Sequence, residues 1–297
     1  MRKILGESSA VQERLSSIRV QERLEVIGEM GEIWREKLND GKLEELKKIL
    51  VKTTGYSEKL IEMEFSLIPL VLSKENLGKN LEYSPAKSIE VFERFVKVEN
   101  DESFRIVPAG PVFIISSGNS LLPPLIPSTI SLATGNFTVI KPSLSNYLGV
   151  VEVYGARSEV ASHSEEAKTM MDALVISYFT HDSASLKHLL SEAEIGVINF
   201  WGGEPARSSI VRLVSENPHH PKIIINGPLT GCVLIDEKSA DEKTAEGLAK
   251  NVILYDQQLC SSPTSAVFIG SWQKSYLVHS ENGKILGESW FRVRDSC

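Results

Sequence analysis

VFIISSGNSLLPPLIPSTISLATGNFTVIK runs from Val112 to Lys141 and changes texture four times within thirty residues. A β-branched and aromatic run, Val112–Ser116, breaks at Ser-Gly-Asn, and an apolar stretch of helical length covers Leu121–Ala133. Gly135-Asn136 then supplies a tight turn, and a second β run follows over Phe137–Ile140. No charged residue occurs from Ile106 to Ile140, a length that would span a bilayer. Pro108, Pro111, Pro123, Pro124 and Pro127 interrupt it, together with Gly110, Gly118, Asn119, Gly135 and Asn136. Lipid cannot satisfy the backbone groups freed at that many turns, so the stretch reads as a buried strand–turn–helix–strand unit and not as a membrane insertion.

Downstream the same alternation continues. β runs at Ala173–Phe179, Gly196–Phe200, Ile223–Ile225, Cys232–Ile235 and Ala266–Ile269 are separated by helical stretches at Glu165–Met171, Ser183–Ser191, Glu204–Ser215 and Lys243–Gln258. Strands alternating with helices imply βαβ units in a mostly parallel sheet covered on both faces, hence an α/β, doubly wound fold. Upstream, residues 1 to about 80 are charged and helical in period, with Ile18, Leu24, Ile27 and Trp34 and then Leu43, Leu46, Ile49 and Leu50 at turn spacings. Gly55 and Pro69 are read there as helix punctuation. The acidic residues mixed among the lysines favour an amphipathic packing layer over a membrane-binding basic helix.

The whole chain has 297 residues, enough for about two domains. It is 42% hydrophobic and 24% charged, ordinary globular composition that excludes a disordered or fibrous class. A net charge of -7 leaves no global basic field for nucleic acid. Cys232, Cys260 and Cys297 are too few and too scattered for a disulfide framework or a zinc knuckle, and the N-terminus has no apolar signal-peptide core. A reduced, cytoplasmic protein is expected.

Several positions could carry chemistry, each with a plainer reading beside it. Cys260, in Tyr255-Asp-Gln-Gln-Leu-Cys-Ser-Ser-Pro263, sits between a helix and a Pro-broken turn, where a thiol can face a cleft; most free cysteines are small buried hydrophobes. Asn119 ends a strand, where its amide could donate to an oxyanion or merely cap the following helix. Lys141 emerges at a strand end as a ribose or phosphate ligand or as an ordinary surface charge. Gly202-Gly203 lies between a strand and a helix start, where glycine lets the backbone approach a pyrophosphate and the helix terminus favours the anion; without a GxGxxG spacing the signal is weak. His219-His220, between Pro218 and Pro221, reads as a surface turn, His181 and His188 lack a third ligand, and no metal site is expected. No GxSxG elbow, Walker A loop or HExxH motif occurs.

The order of these pieces is more specific than any one of them. Phe104–Phe113, Gly118-Asn119 and Ala133–Ser143, followed by Gly202-Gly203 and Cys260, resemble the core of the aldehyde dehydrogenase superfamily in order and spacing. Within it, Asp256–Pro263 and Phe200-Trp-Gly-Gly-Glu204 look most like the LuxC-type acyl-CoA reductase of bacterial luminescence, the likeness covering about residues 85 to 270. It implies an aldehyde-dehydrogenase-like, Rossmann-type sheet with an N-terminal helical segment (1–84), a nucleotide-binding α/β domain (85–225) and the start of a catalytic domain (226–297). It implies also that Cys260 is the nucleophile, that Asn119 and the Cys260 N–H stabilise the oxyanion, that Lys141 and Ser143 lie near the adenosine ribose, and that Gly202 and Gly203 approach the pyrophosphate. Leu144 occupies the place where NAD-preferring relatives often carry a ribose-binding glutamate, which points to NADPH.

Two departures bear on activity. Where oxidative relatives carry a water-activating glutamate, this chain has Asn226 in Ile225-Asn-Gly-Pro-Leu-Thr-Gly231, and an amide cannot take a proton from water at neutral pH. An acyl-cysteine should therefore persist to be reduced, which favours an acyl-CoA or acyl-protein thioester as substrate and a fatty aldehyde as product. The chain also stops 37 residues after Cys260, with no recognisable family motif in Glu281–Cys297, so an incomplete catalytic domain is expected. A non-catalytic fragment that binds nucleotide or a partner chain, and an aldehyde-oxidising dehydrogenase, stay open beside the reductase. A homo-oligomer or an acyl-transferring partner is implied by the resemblance alone.

Overall fold

The computed structural model describes residues 2–84, 87–98, 101–227, 229, 231–239, 241–257, 259 and 262–270. The chain divides into two compact units at Asn226/Gly227.

The first unit opens with α1 (Arg2–Ser17), α2 (Val20–Asn39), α3 (Glu44–Thr54), α4 (Glu58–Val71) and α5 (Lys74–Glu82). Their ends follow local chemistry. Ser57 and Ser73 each accept a backbone N–H of the first turn they precede, and Gly55 closes α3 in the left-handed region at φ 79°. Pro69 behaves differently from its sequence reading: it lies inside the last turn of α4 and breaks nothing. Lacking an N–H, it leaves the Phe65 carbonyl without its helical donor. The Trp34 indole N–H supplies that donor at 3.0 Å, and the Trp34 and Phe65 rings meet edge to face at 5.2 Å, both fully buried.

Arg23 does comparable work between helices. It is 3% exposed, and its guanidinium donates to Leu15 O and Ala133 O, both at 2.9 Å, in the last turns of two different helices. Both carbonyls lie at the negative ends of their helix dipoles, beyond the last regular helical donors, and Leu15 O accepts the Ile18 N–H at 3.2 Å as well. Burial pulls the Arg23 pKa down to about 10, still high enough to keep it cationic at neutral pH.

After a short antiparallel ribbon, β1 (Val96–Lys97) with β2 (Ser103–Phe104), the chain enters the sheet. The elements are β3 (Val112–Ile115), α6 (Leu122–Ala133), β4 (Thr138–Lys141), α7 (Tyr147–Val160), α8 (Glu165–Asp172), β5 (Leu174–Ile176), α9 (Ala184–Ser191), β6 (Val197–Trp201), α10 (Ala206–Ser215) and β7 (Lys222–Asn226). The strands lie in the order β5-β4-β3-β6-β7, all parallel. The central strand β3 is buried at all four residues, as a strand covered on both faces requires. α6 packs on β3 and β4, α10 packs on β7 and against α9, and α2 lies across α6, α7 and α8. The N-terminal helices are thus an outer layer of the same unit as the sheet. Pro123 and Pro124 fit α6 because its first-turn N–H groups have no helical acceptors. Among the described residues no helix is long and apolar enough to cross a membrane.

The second unit contains β8 (Gly231–Asp236) and β9 (Pro263–Ile269), paired in parallel, with α11 (Glu242–Ile253) between them in sequence. Leu234, Val267 and Ile269 are exposed on this pair.

Candidate active site

The strand order reverses between β3 and β6, and in open parallel sheets a ligand crevice forms at that point, outside the carboxyl ends of the strands. Ile115 is in register with both Lys141 and Phe200. The segments beginning at Ser116, Pro142 and Gly202 therefore leave the same edge of the sheet from neighbouring strands. Five of the six positions singled out in the sequence, Asn119, Lys141, Ser143, Gly202 and Gly203, lie on or beside these segments. The sixth, Cys260, lies outside the described residues.

The segment after β3 is held from two sides. On one, the Asn146 amide donates to Ser117 O at 3.1 Å and to Ser120 O at 2.7 Å, while Ser145 Oγ lies 3.0 Å from Gly118 O and 3.2 Å from Ser143 Oγ. On the other, Glu64 of α4 accepts the Ser120 hydroxyl and the Leu121 N–H. Asn119 itself is half-buried, and its Oδ1 accepts the Ser117 hydroxyl at 2.7 Å, which orients the amide. Gly118 is needed for this close approach, since a Cβ there would stand 2.5 Å from both Ser143 Oγ and Ser145 Oγ.

Lys141 is half-buried, its ammonium 5.5 Å from the centre of the Tyr178 ring, and among the described residues it makes no ion pair. Burial lowers its pKa. A partly desolvated cation at a strand end, without a carboxylate, is suited to an anionic ligand. Leu144, two residues beyond Pro142, is 67% exposed and brings no negative charge to this turn.

The turn after β6 is less open than its sequence suggests. The Gly202 N–H donates to Asn226 O at 3.2 Å, and the helix start that follows carries its own carboxylate. Glu204 accepts the Ser208 N–H at 3.2 Å and the Ser208 hydroxyl at 2.7 Å, and that hydroxyl is the chief reason its pKa falls. An anion at the start of α10 would meet this charge. Asn226 donates its amide to Asn199 Oδ1 at 2.8 Å across the β6–β7 pair. Its side chain thus has a place in the sheet, and it offers no base.

A groove of about 480 Å³ runs along α6 from near this loop, bounded by α4 and α5. Leu122, Ile126 and Ile130 form one wall and Leu70, Leu77 and Tyr83 the other, with Leu70, Ile126 and Tyr83 exposed. Leu122 is only three residues from Asn119. His219 and His220 are exposed in a turn, and His188 pairs with Glu192 at 2.9 Å. Among the described residues no group of three or more His, Cys, Asp or Glu is placed to hold a metal.

Sequence reasoning missed Glu64, Ser120 and Asn146. Glu64 had left a signal: it falls on the helical stripe of Ile61, Phe65 and Ile68, where a carboxylate is out of place unless something polar faces it.

Comparison with known proteins bears on this arrangement. The long-chain acyl-protein thioester reductase 2 of Photobacterium leiognathi is 21% identical over 267 residues, which cover 87% of this chain and 53% of that protein. The chain thus spans about half the length of the curated relatives it matches. Among solved structures, an aldehyde dehydrogenase from Bartonella henselae superposes with a TM-score of 0.72 at 15% identity, over 97% of this chain and 56% of that one. Glyceraldehyde-3-phosphate dehydrogenase GapN from Methanocaldococcus jannaschii, complexed with NADP, gives 0.68 at 18% identity, over 93% and 56%. The fold is that of the aldehyde dehydrogenases, and with residues 15–281 matching its model the chain belongs to the acyl-CoA reductase (LuxC) family.

Proposed function

We propose that the chain carries the nucleotide and acyl sites of a cytoplasmic, NADPH-dependent acyl-thioester reductase that forms a fatty aldehyde through an acyl-cysteine. The observation that carries this reading is the convergence of the Asn119 loop, Lys141 and Gly203 on one edge of the sheet at its reversal point, in a chain of this family. On this reading residues 85–225 bind nucleotide, residues 226–297 begin the catalytic domain and residues 1–84 brace both the loop and the groove.

The Cys260 thiolate attacks the carbonyl of an acyl-CoA or acyl-protein thioester and expels the donor thiolate, which leaves with a proton as the free thiol. Asn119 donates to the oxyanion of the tetrahedral species, and again to the one formed when the acyl-cysteine is reduced. Bound NADPH supplies the hydride for that reduction. Collapse of that second oxyanion to the aldehyde expels the Cys260 thiolate and so restores the nucleophile. Lys141 and Ser143 fit the adenosine end of the cofactor. Lys141, which makes no ion pair among the described residues, and the absence of a carboxylate at Leu144 support a 2′-phosphate there. Asn226 activates no water, so the acyl-cysteine survives to be reduced. The groove along α6 takes the acyl chain.

The test is oxidation of NADPH by the purified chain with palmitoyl-CoA, followed by absorbance, with aldehyde trapped as its hydrazone. Acyl-CoA-dependent consumption matched by aldehyde is expected. Binding of nucleotide with no turnover, or turnover only in the aldehyde-oxidising direction, would overturn the reading.

A further inference from the structure

We propose that Glu64 is a positioning residue for Asn119, fixing from the helical layer the direction in which the amide meets the acyl oxygen; this rests on the reading of Asn119 as the oxyanion donor. Glu64 is 1% exposed, and a buried carboxylate is costly unless it is hydrogen-bonded. Two of its hydrogen bonds go to Ser120 and Leu121, the two residues that follow Asn119. They stand at the start of α6, where orphan N–H groups and the helix dipole favour a negative charge. Asn146 and Ser145 grip the other side of the same loop at Ser117, Gly118 and Ser120. The Asn119 backbone is thus pinned between two anchors, one of them Glu64, 56 residues before Ser120 in sequence. A core needing only to be filled would take an apolar residue at position 64, as it does at Ile61, Phe65 and Ile68. Positioning matters because a misplacement of about 1 Å can cost on the order of 100-fold in rate.

The experiment is a time course of Cys260 acylation by palmitoyl-CoA, read by intact mass, for the parent chain, Glu64→Ala, Glu64→Gln, Asn119→Ala and the Glu64→Ala/Asn119→Ala double variant, with melting curves for each. Asn119→Ala is expected to slow acylation by roughly 100- to 1,000-fold. Glu64→Ala should slow it by about 10- to 100-fold. Glu64→Gln, whose amide oxygen can accept both bonds, should restore the rate to within about fivefold of the parent. The double variant should be no slower than Asn119→Ala, because Glu64 acts through that residue. Losses that multiply in the double variant, or a Glu64→Ala that melts lower yet acylates at the parental rate, would overturn the positioning role while leaving the reductase reading intact. A parent chain that is never acylated would overturn both, and the two failures are thereby distinguished.

Discussion

Replacing Gly118 by alanine adds one methyl group where two loops of the candidate site meet. A Cβ at this position would stand 2.5 Å from Ser143 Oγ and Ser145 Oγ and 2.8 Å from Ser143 Cβ. Ordinary contact begins at 3.4 Å, so from 2.5 Å each hydroxyl has to retreat by about 0.9 Å. Overpacking of this kind costs about 1–3 kcal/mol. The retreat also breaks the contact of Ser145 Oγ with Gly118 O, now 3.0 Å, worth about 1 kcal/mol more. The sum, about 2–4 kcal/mol, corresponds to a fall in Tm of roughly 3–6 °C for a chain of this size. The assay is thermal unfolding followed by circular dichroism, with Gly155→Ala as control. Gly155 is exposed inside α7 and has nothing within 4 Å, so alanine there should stabilise by about 0.5–1 kcal/mol. Because Ser143 lies at the proposed ribose position, Gly118→Ala should also weaken NADPH binding. A Gly118→Ala protein that melts with the parent would refute the loop contact on which the description of the site depends.

Three other outcomes follow from the same structure. Lys141→Met should raise the NADPH Kd by roughly 5- to 30-fold with a smaller effect on NADH, measured by quenching of protein fluorescence, since the cation lost has no carboxylate partner among the described residues. Arg23→Met should destabilise by about 2–4 kcal/mol in denaturant titration, because the Leu15 and Ala133 carbonyls lose their shared donor. For acid, Glu22 is held below the usual carboxylate range by its hydrogen bond from Arg19, and Glu25 by its bond from Lys74. A carboxylate with a depressed folded pKa contributes stability above its unfolded pKa and loses it as pH falls through the folded one. The melting temperature should therefore decline below about pH 4.5, and less so in high salt because Glu25 is exposed and Glu22 partly so.

Where local pattern decided structure, the sequence was readable. The runs at Val112–Ser116 and Gly196–Phe200 became β3 and β6 to within a residue, because buried parallel strands are near-continuous apolar runs bounded by turns. The helix α7 had no such legibility. Val150, Val153 and Tyr154 face inward while Leu148 and Val151 are exposed, so its apolar residues encircle the helix and show no single stripe. The β5 run was read too long, since the residues after Ile176 leave the sheet, Ser177 still donating its N–H to Ile140 O. At the site, Lys141 at the end of β4 and the Asn119 turn just beyond β3 were visible in the alternation itself. The Glu64 and Asn146 anchors were not, because their partners are set by how layers stack and not by spacing along the chain. The carboxylate of Glu204 at the start of α10 stood in plain view beside Gly202-Gly203, yet its bearing on a phosphate emerges only once Ser208 turns it onto the helix end.

The reductase reading meets its most direct test in the intact mass of the purified chain after incubation with palmitoyl-CoA and no reduced cofactor, beside Cys260→Ala. A gain of one palmitoyl group in the parent, absent in the variant and discharged when NADPH is added, is the expected result. A folded parent that gains no mass, or that gains it equally when Cys260 is replaced, would contradict the acyl-cysteine at the centre of the mechanism.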